Sequence, residues 1–74
     1  TGWIKEGEAW YYLGPTGRMT KGWNWINGKC YYFQDTPAPN RPVGSMIKNG
    51  MTPDGYMVNE NGEWIIDGNV QVKQ

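Results

Sequence analysis

The chain has 74 residues, of which 38% are hydrophobic, 15% aromatic and 11 glycine, and its seven basic and seven acidic side chains cancel to zero net charge. So short a chain buries a modest fraction of its surface, which argues against a large closed core and for staples, partners or neighbouring repeats. Balanced charge excludes bulk attraction to nucleic acid or an anionic membrane, and no apolar run reaches the roughly 18 residues of a membrane-inserted helix.

The chain opens on Gly2-Trp3-Ile4-Lys5, followed by Glu6-Gly7 and then Trp10-Tyr11-Tyr12-Leu13. Two aromatic or β-branched stretches around a turn signal are the signature of a β-hairpin. With Glu6-Gly7 as a two-residue loop, Lys5 should face Glu8 and Trp3 should face Trp10. Period-2 alternation then adds Tyr12 to the indole face and turns Tyr11 away. Gly17-Arg18-Met19 closes this first unit.

At an offset of 20 the pattern returns: Gly22-Trp23 repeats Gly2-Trp3, and Cys30-Tyr31-Tyr32-Phe33 repeats Trp10-Tyr11-Tyr12-Leu13. A fixed short period marks a repeat architecture. A two-residue Asn27-Gly28 loop puts Trp23 opposite Tyr32 and Trp25 opposite Cys30, whereas a bulged turn would restore the pairing expected of the first unit. Gly44-Ser45-Met46 ends the unit, but Gly44 follows Phe33 by eleven positions where Gly17 follows Leu13 by four. Residues 34–43 thus hold an insertion with three prolines, expected to be an extended surface loop.

A worn third unit follows. Thr52-Pro53-Asp54-Gly55 is turn chemistry, Tyr56-Met57-Val58 and Glu63-Trp64-Ile65-Ile66 read as strands around Asn61-Gly62, and Asp67-Gly68 leads to a final strand from Asn69. Terminal repeats depart from consensus because no neighbour covers their outer side. The helix formers Ala and Leu occur only as Ala9, Ala38 and Leu13. The expected fold is therefore all-β: tandem hairpins divided as 1–20, 21–46 and a degenerate cap at 47–74.

The order Gly-Trp, turn, Trp-Tyr-Tyr-Leu, Gly-x-Met, Gly-Trp resembles the choline-binding, or cell wall-binding, repeats of Gram-positive surface proteins and phage lysins. The resemblance implies hairpins stacked as a β-solenoid, with the choline of teichoic acids held between successive hairpins in aromatic boxes closed by methionine. It also implies a secreted, wall-associated piece of a longer protein. Related toxin repeats bind carbohydrate, which leaves a glycan as the alternative ligand. A quaternary ammonium donates no hydrogen bond and is drawn to aromatic faces. The expected first box is Trp3, Trp10, Met19 and Tyr32. A second would use Trp23, Met46, Tyr56 and Trp64, with Trp25 joining if its register turns it inward.

Other chemistry finds little footing. No histidine is present, so zinc sites and the usual general base are missing, and no cofactor is expected. Cys30, a lone cysteine amid strand residues, reads as a buried thiol. Glu6 with Glu8 and Glu60 with Glu63 lie at hairpin tips and read as solvated turn residues, not glycosidase pairs. Asp54, Asn59 and Asn61 lack the remaining ligands of a calcium loop. The chain is thus expected to be a non-enzymatic binding module whose open last hairpin offers a route to a homodimer.

Overall fold

The computed structural model describes residues 2–39 and 41–73; Thr1, Asn40 and Gln74, which fall within the expected repeat and loop boundaries, lie outside the described residues. Eight strands run in chain order: β1 Gly2–Glu6, β2 Ala9–Leu13, β3 Gly22–Ile26, β4 Lys29–Phe33, β5 Gly50–Met51, β6 Met57–Val58, β7 Trp64–Ile66 and β8 Asn69–Val70. They form antiparallel hairpins β1-β2 and β3-β4 and a four-stranded meander β5-β6-β7-β8. There is no helix among the described residues.

The first hairpin corrects the expected register. Trp3 pairs with Tyr12, Lys5 with Trp10 and Glu6 with Ala9, so the loop is Gly7-Glu8 and not Glu6-Gly7. Two-residue hairpin loops need positive φ at their first position, and Gly7 supplies it at 61° where a glutamate would be strained. The shift is two residues, so side-chain parity survives: Trp3 and Trp10 still share a face, now as diagonal neighbours. In the second hairpin Asn27 and Gly28 both have positive φ, 52° and 87°, the demand of a type I′ turn. Trp23 pairs with Tyr32 and Trp25 with Cys30, the same register as the first hairpin and without a bulge.

The insertion is absorbed at its base. Gln34 N–H donates to Ser45 C=O at 2.8 Å, and Gly44 N–H donates to Gln34 C=O at 2.7 Å. Ser45 Oγ ties back to Pro42 C=O at 2.7 Å. Residues 35–43 therefore leave and rejoin the framework at one point. The repeat geometry continues as if they were absent: Phe33 bridges Met46 as Leu13 bridges Met19, and Ile47 N–H reaches Tyr32 C=O as Thr20 N–H reaches Tyr12 C=O.

The last unit is broader than the expected hairpin. The link from β6 to β7 is not a two-residue Asn61-Gly62 loop, because Met57 pairs with Ile65 and Val58 with Trp64. Asn59 organises the longer turn, its Oδ1 accepting from the N–H of Asn61 at 3.0 Å and of Glu63 at 2.9 Å. Isolated bridges Tyr31 to Glu63 and Lys29 to Val72 stitch the β4 edge to this unit.

Burial is thin and lies between the units. Phe33 is fully buried beneath Trp3, with ring centroids 5.8 Å apart, while Tyr32, Ile47 and Val58 cluster under Trp23. Each interface between units thus holds one small apolar layer, which suits a repeat whose units cannot cover their own faces.

Candidate functional site

Alternation fixes which rings meet. The hairpin-1 face of Trp3, Trp10 and Tyr12 is covered by the hairpin-2 face that carries Tyr31 and Phe33. Trp3 is the hub, edge-on to Trp10 at 6.2 Å, Tyr12 at 5.2 Å and Tyr31 at 5.1 Å. Edge-to-face contacts are among the favoured aromatic geometries. A hollow of about 390 Å³ results, walled by Trp3, Trp10, Tyr31 and Met46, with Lys48, Glu60 and Asn61 adding polar groups. Such a volume sits at the small end of ligand clefts, roughly 300 to 1,000 Å³.

Met46 is seated from two sides. Its N–H donates to Trp10 C=O at 2.7 Å, and a Cβ on Gly62 would collide with its sulfur, so glycine there lets the thioether in. Lys5, directly across from Trp10, holds its Nζ 5.7 Å from that ring's centroid, so one indole already faces an internal cation.

Two of the residues expected in this box are elsewhere. Tyr32 points to the other side of hairpin 2, buried against Trp23 with centroids 5.1 Å apart. Met19 stands 45% exposed beside Gly44 and Tyr11. Tyr31 and Met46 occupy the places expected for them. The alternation of Tyr31 and Tyr32 was legible, but which of the two faces looks back at hairpin 1 depends on how the units stack.

The second cluster gathers more rings than expected. A hollow of about 340 Å³ is lined by Trp23, Trp25, Cys30, Asp54, Tyr56 and Trp64. Trp23 lies 5.8 Å from Tyr56 and 6.0 Å from Trp64, and Trp64 lies 6.2 Å from both Trp25 and Tyr56. Met46 lines the first hollow instead of this one. The cross-strand pair explains the gain: Lys5 opposite Trp10 becomes Trp25 opposite Cys30, so the indole has changed strands while keeping its face.

Asp54 is the polar residue of this hollow. Its Oδ2 accepts from Trp23 Nε1 at 2.9 Å and its Oδ1 from Thr52 Oγ1 at 3.0 Å. The indole hydrogen bond, first among the causes, lowers the Asp54 carboxyl below its ordinary range. Burial, the largest cause, pushes the Cys30 thiol above its ordinary value. Trp64 Nε1 is buried without a hydrogen-bond partner among the described residues. Outside both hollows, Lys29 Nζ pairs with Glu63 Oε2 at 2.9 Å, joining β4 to the third unit.

The comparisons with known proteins bear on the family and the fold. A family model described as choline-binding repeat matches residues 1–50. Choline-binding protein F of Streptococcus pneumoniae superposes with a TM-score of 0.71 at 43% identity, covering 89% of this chain and 20% of that one. The same protein crystallised in the presence of a peptidoglycan analogue, a tetrasaccharide-pentapeptide, gives a TM-score of 0.72 at 43% identity, again covering 89% and 20%. The choline binding domain of Spr1274 from S. pneumoniae gives 0.68 at 36% identity, covering 90% of this chain and 96% of that domain. This chain therefore spans about a fifth of choline-binding protein F. No match is found among curated proteins.

Proposed function

Because the chain belongs to the choline-binding repeat family, we propose that it is a non-catalytic module anchoring a larger extracellular protein to choline-bearing teichoic acid of a bacterial wall. The observation that carries this reading is the hollow walled by Trp3, Trp10, Tyr31 and Met46, all within the matched residues 1–50. Choline presents a methylated cation with no N–H, so three ring faces and a polarisable sulfur offer it what it can use. At about 0.5 to 2 kcal/mol per well-placed ring, one box gives weak binding of millimolar order. Firm attachment to a polymer comes from several boxes engaging together.

The polar groups favour binding over chemistry. The Cys30 thiol is pushed up by burial, and Glu63 is committed to Asn59 and Lys29. Glu6 and Glu8 are solvent-exposed around the first turn. A glycan ligand is the second reading, motivated by the structure of choline-binding protein F in the presence of a peptidoglycan analogue. Self-association through the third unit is a further reading, favoured by the exposure of Met51, Met57 and Ile66.

Tryptophan fluorescence followed during choline addition, and again with N-acetylglucosamine, decides between the ligands. Saturable quenching by choline that Trp10→Ala weakens at least tenfold, with unchanged strand circular dichroism, is the expected result. A response to the sugar alone moves the reading to a glycan. No response to either rejects this box as a site. Sedimentation velocity with and without choline tests self-association.

A further inference from the structure

The two hollows differ in charge, and that difference points to different ligands. Around the first, Lys5 stands over Trp10 and Lys48 joins the lining, with Glu60 the lone acid. The second is lined by no lysine or arginine and holds one carboxylate, Asp54, which has no ion-pair partner among the described residues. Asp54 is also held in place. Trp23 and Thr52 hydrogen-bond its two oxygens, and Thr52 is itself fixed by the N–H of Tyr56 at 3.2 Å. Each carboxylate oxygen accepts two hydrogen bonds, so lone pairs remain after these contacts.

We propose that Asp54 is a specificity residue that turns the Trp23–Tyr56–Trp64 hollow into a site for an ammonium group carrying an N–H, a protonated amine. A cation seated there meets aromatic faces, as in the first box, and also an anchored anion. A quaternary ammonium gains from Asp54 only Coulomb attraction, which solvent screens at this exposed position. A protonated amine adds a charge-assisted N–H···O bond, which is stronger and directional. Asp54, Tyr56 and Trp64 all lie beyond the residues matched by the family model, so this selectivity goes beyond the reading given above.

The test uses the 74-residue chain with 15N-labelled indoles. Choline and N,N-dimethylethanolamine form the probe pair, since at neutral pH they differ by one methyl in place of an N–H. Shifts of the Trp23 indole resonance report the second hollow, and those of Trp3 and Trp10 report the first. The expected result is an amine-to-choline affinity ratio about two- to fivefold higher at Trp23 than at Trp3, the scale of one exposed charged hydrogen bond. Asp54→Asn, which keeps an acceptor for the Trp23 indole, should erase the excess at Trp23 and leave Trp3 unchanged. Equal ratios in the two hollows of the unsubstituted protein overturn the proposal. So does an excess that persists in Asp54→Asn, or a Trp23 resonance that neither compound moves. Failure of the choline reading would appear separately, as static Trp3 and Trp10 resonances.

Discussion

Lys5 and Trp10 face each other across hairpin 1, with the ammonium 5.7 Å from the ring centroid. That ammonium repels any cation approaching the same indole. Lys5→Gln should therefore tighten choline binding at the first box by about twofold, the scale of an exposed charge interaction. Added salt should tighten the unsubstituted protein toward the variant, and fluorescence titrations at low and high ionic strength check both. Trp23, Tyr56 and Trp64 were named for the second cluster by the family resemblance, and Trp3 with Trp10 was legible as the indole face of hairpin 1 because strand alternation gives both one parity. Tyr31 was not, since it differs from Tyr32 only in the face it takes, and a strand cannot say which face its neighbour will cover. Trp25 was legible only conditionally, since a column-by-column reading of the repeats sees Cys30 as a lost wall and misses the indole opposite it.

Among the elements, hairpin 2 carries the contacts that join the units. Phe33 is fully buried under Trp3, and Phe33→Ala should cost about 3 kcal/mol. That is a large share of the roughly 4 to 11 kcal/mol available to a chain of this size. A urea midpoint that moved little would show the interface to be softer than its burial suggests. The Lys29–Glu63 pair ties the same hairpin to the third unit. The Asn59 amide, and after it Lys29, hold the Glu63 carboxyl below its ordinary value of 4.5. A carboxyl depressed in the folded state contributes stability above that value and loses it as pH falls through the folded one. Lys29 is raised above 10.5, chiefly by its hydrogen bond to Glu63. Its contribution is full below that value and is lost as pH rises through the folded one. Urea midpoints should drop as pH falls below about 4.5, and Glu63→Gln should flatten that drop while costing about 1 kcal/mol at neutral pH. The hairpins themselves were readable from turn chemistry, as Asn27-Gly28 demonstrates. The first turn was misplaced by one residue because Glu6-Gly7 and Gly7-Glu8 contain the same glycine, and only its position within the loop separates them.

At the scale of the whole molecule, the radius of gyration of 11.6 Å is near the roughly 11 Å of a compact chain this long, although almost nothing is fully buried. Stability so distributed should respond strongly to ligand. Choline at ten times its dissociation constant adds about 1.4 kcal/mol for each occupied box, which for a domain of this size raises Tm by about 6 to 11 °C. Trp10→Ala should remove the share of the first box, and differential scanning fluorimetry over a choline series measures it. The repeat order was visible in the sequence because the first two units each restate Gly-Trp and Gly-x-Met. The breadth of the last unit was not, since strands as short as Gly50–Met51 leave no period to read.

The loop at residues 35–43 enters and leaves between Gln34 and Ser45, which are hydrogen-bonded to each other, so its contents do not set the spacing of the repeats. The entropy of closing a flexible loop grows only with the logarithm of its length, about 0.6 kcal/mol per doubling. A foreign epitope of two or three times this length could be spliced in there at little thermodynamic penalty, making the module a carrier that displays cargo while the stacking of its aromatic hairpins is left as it is.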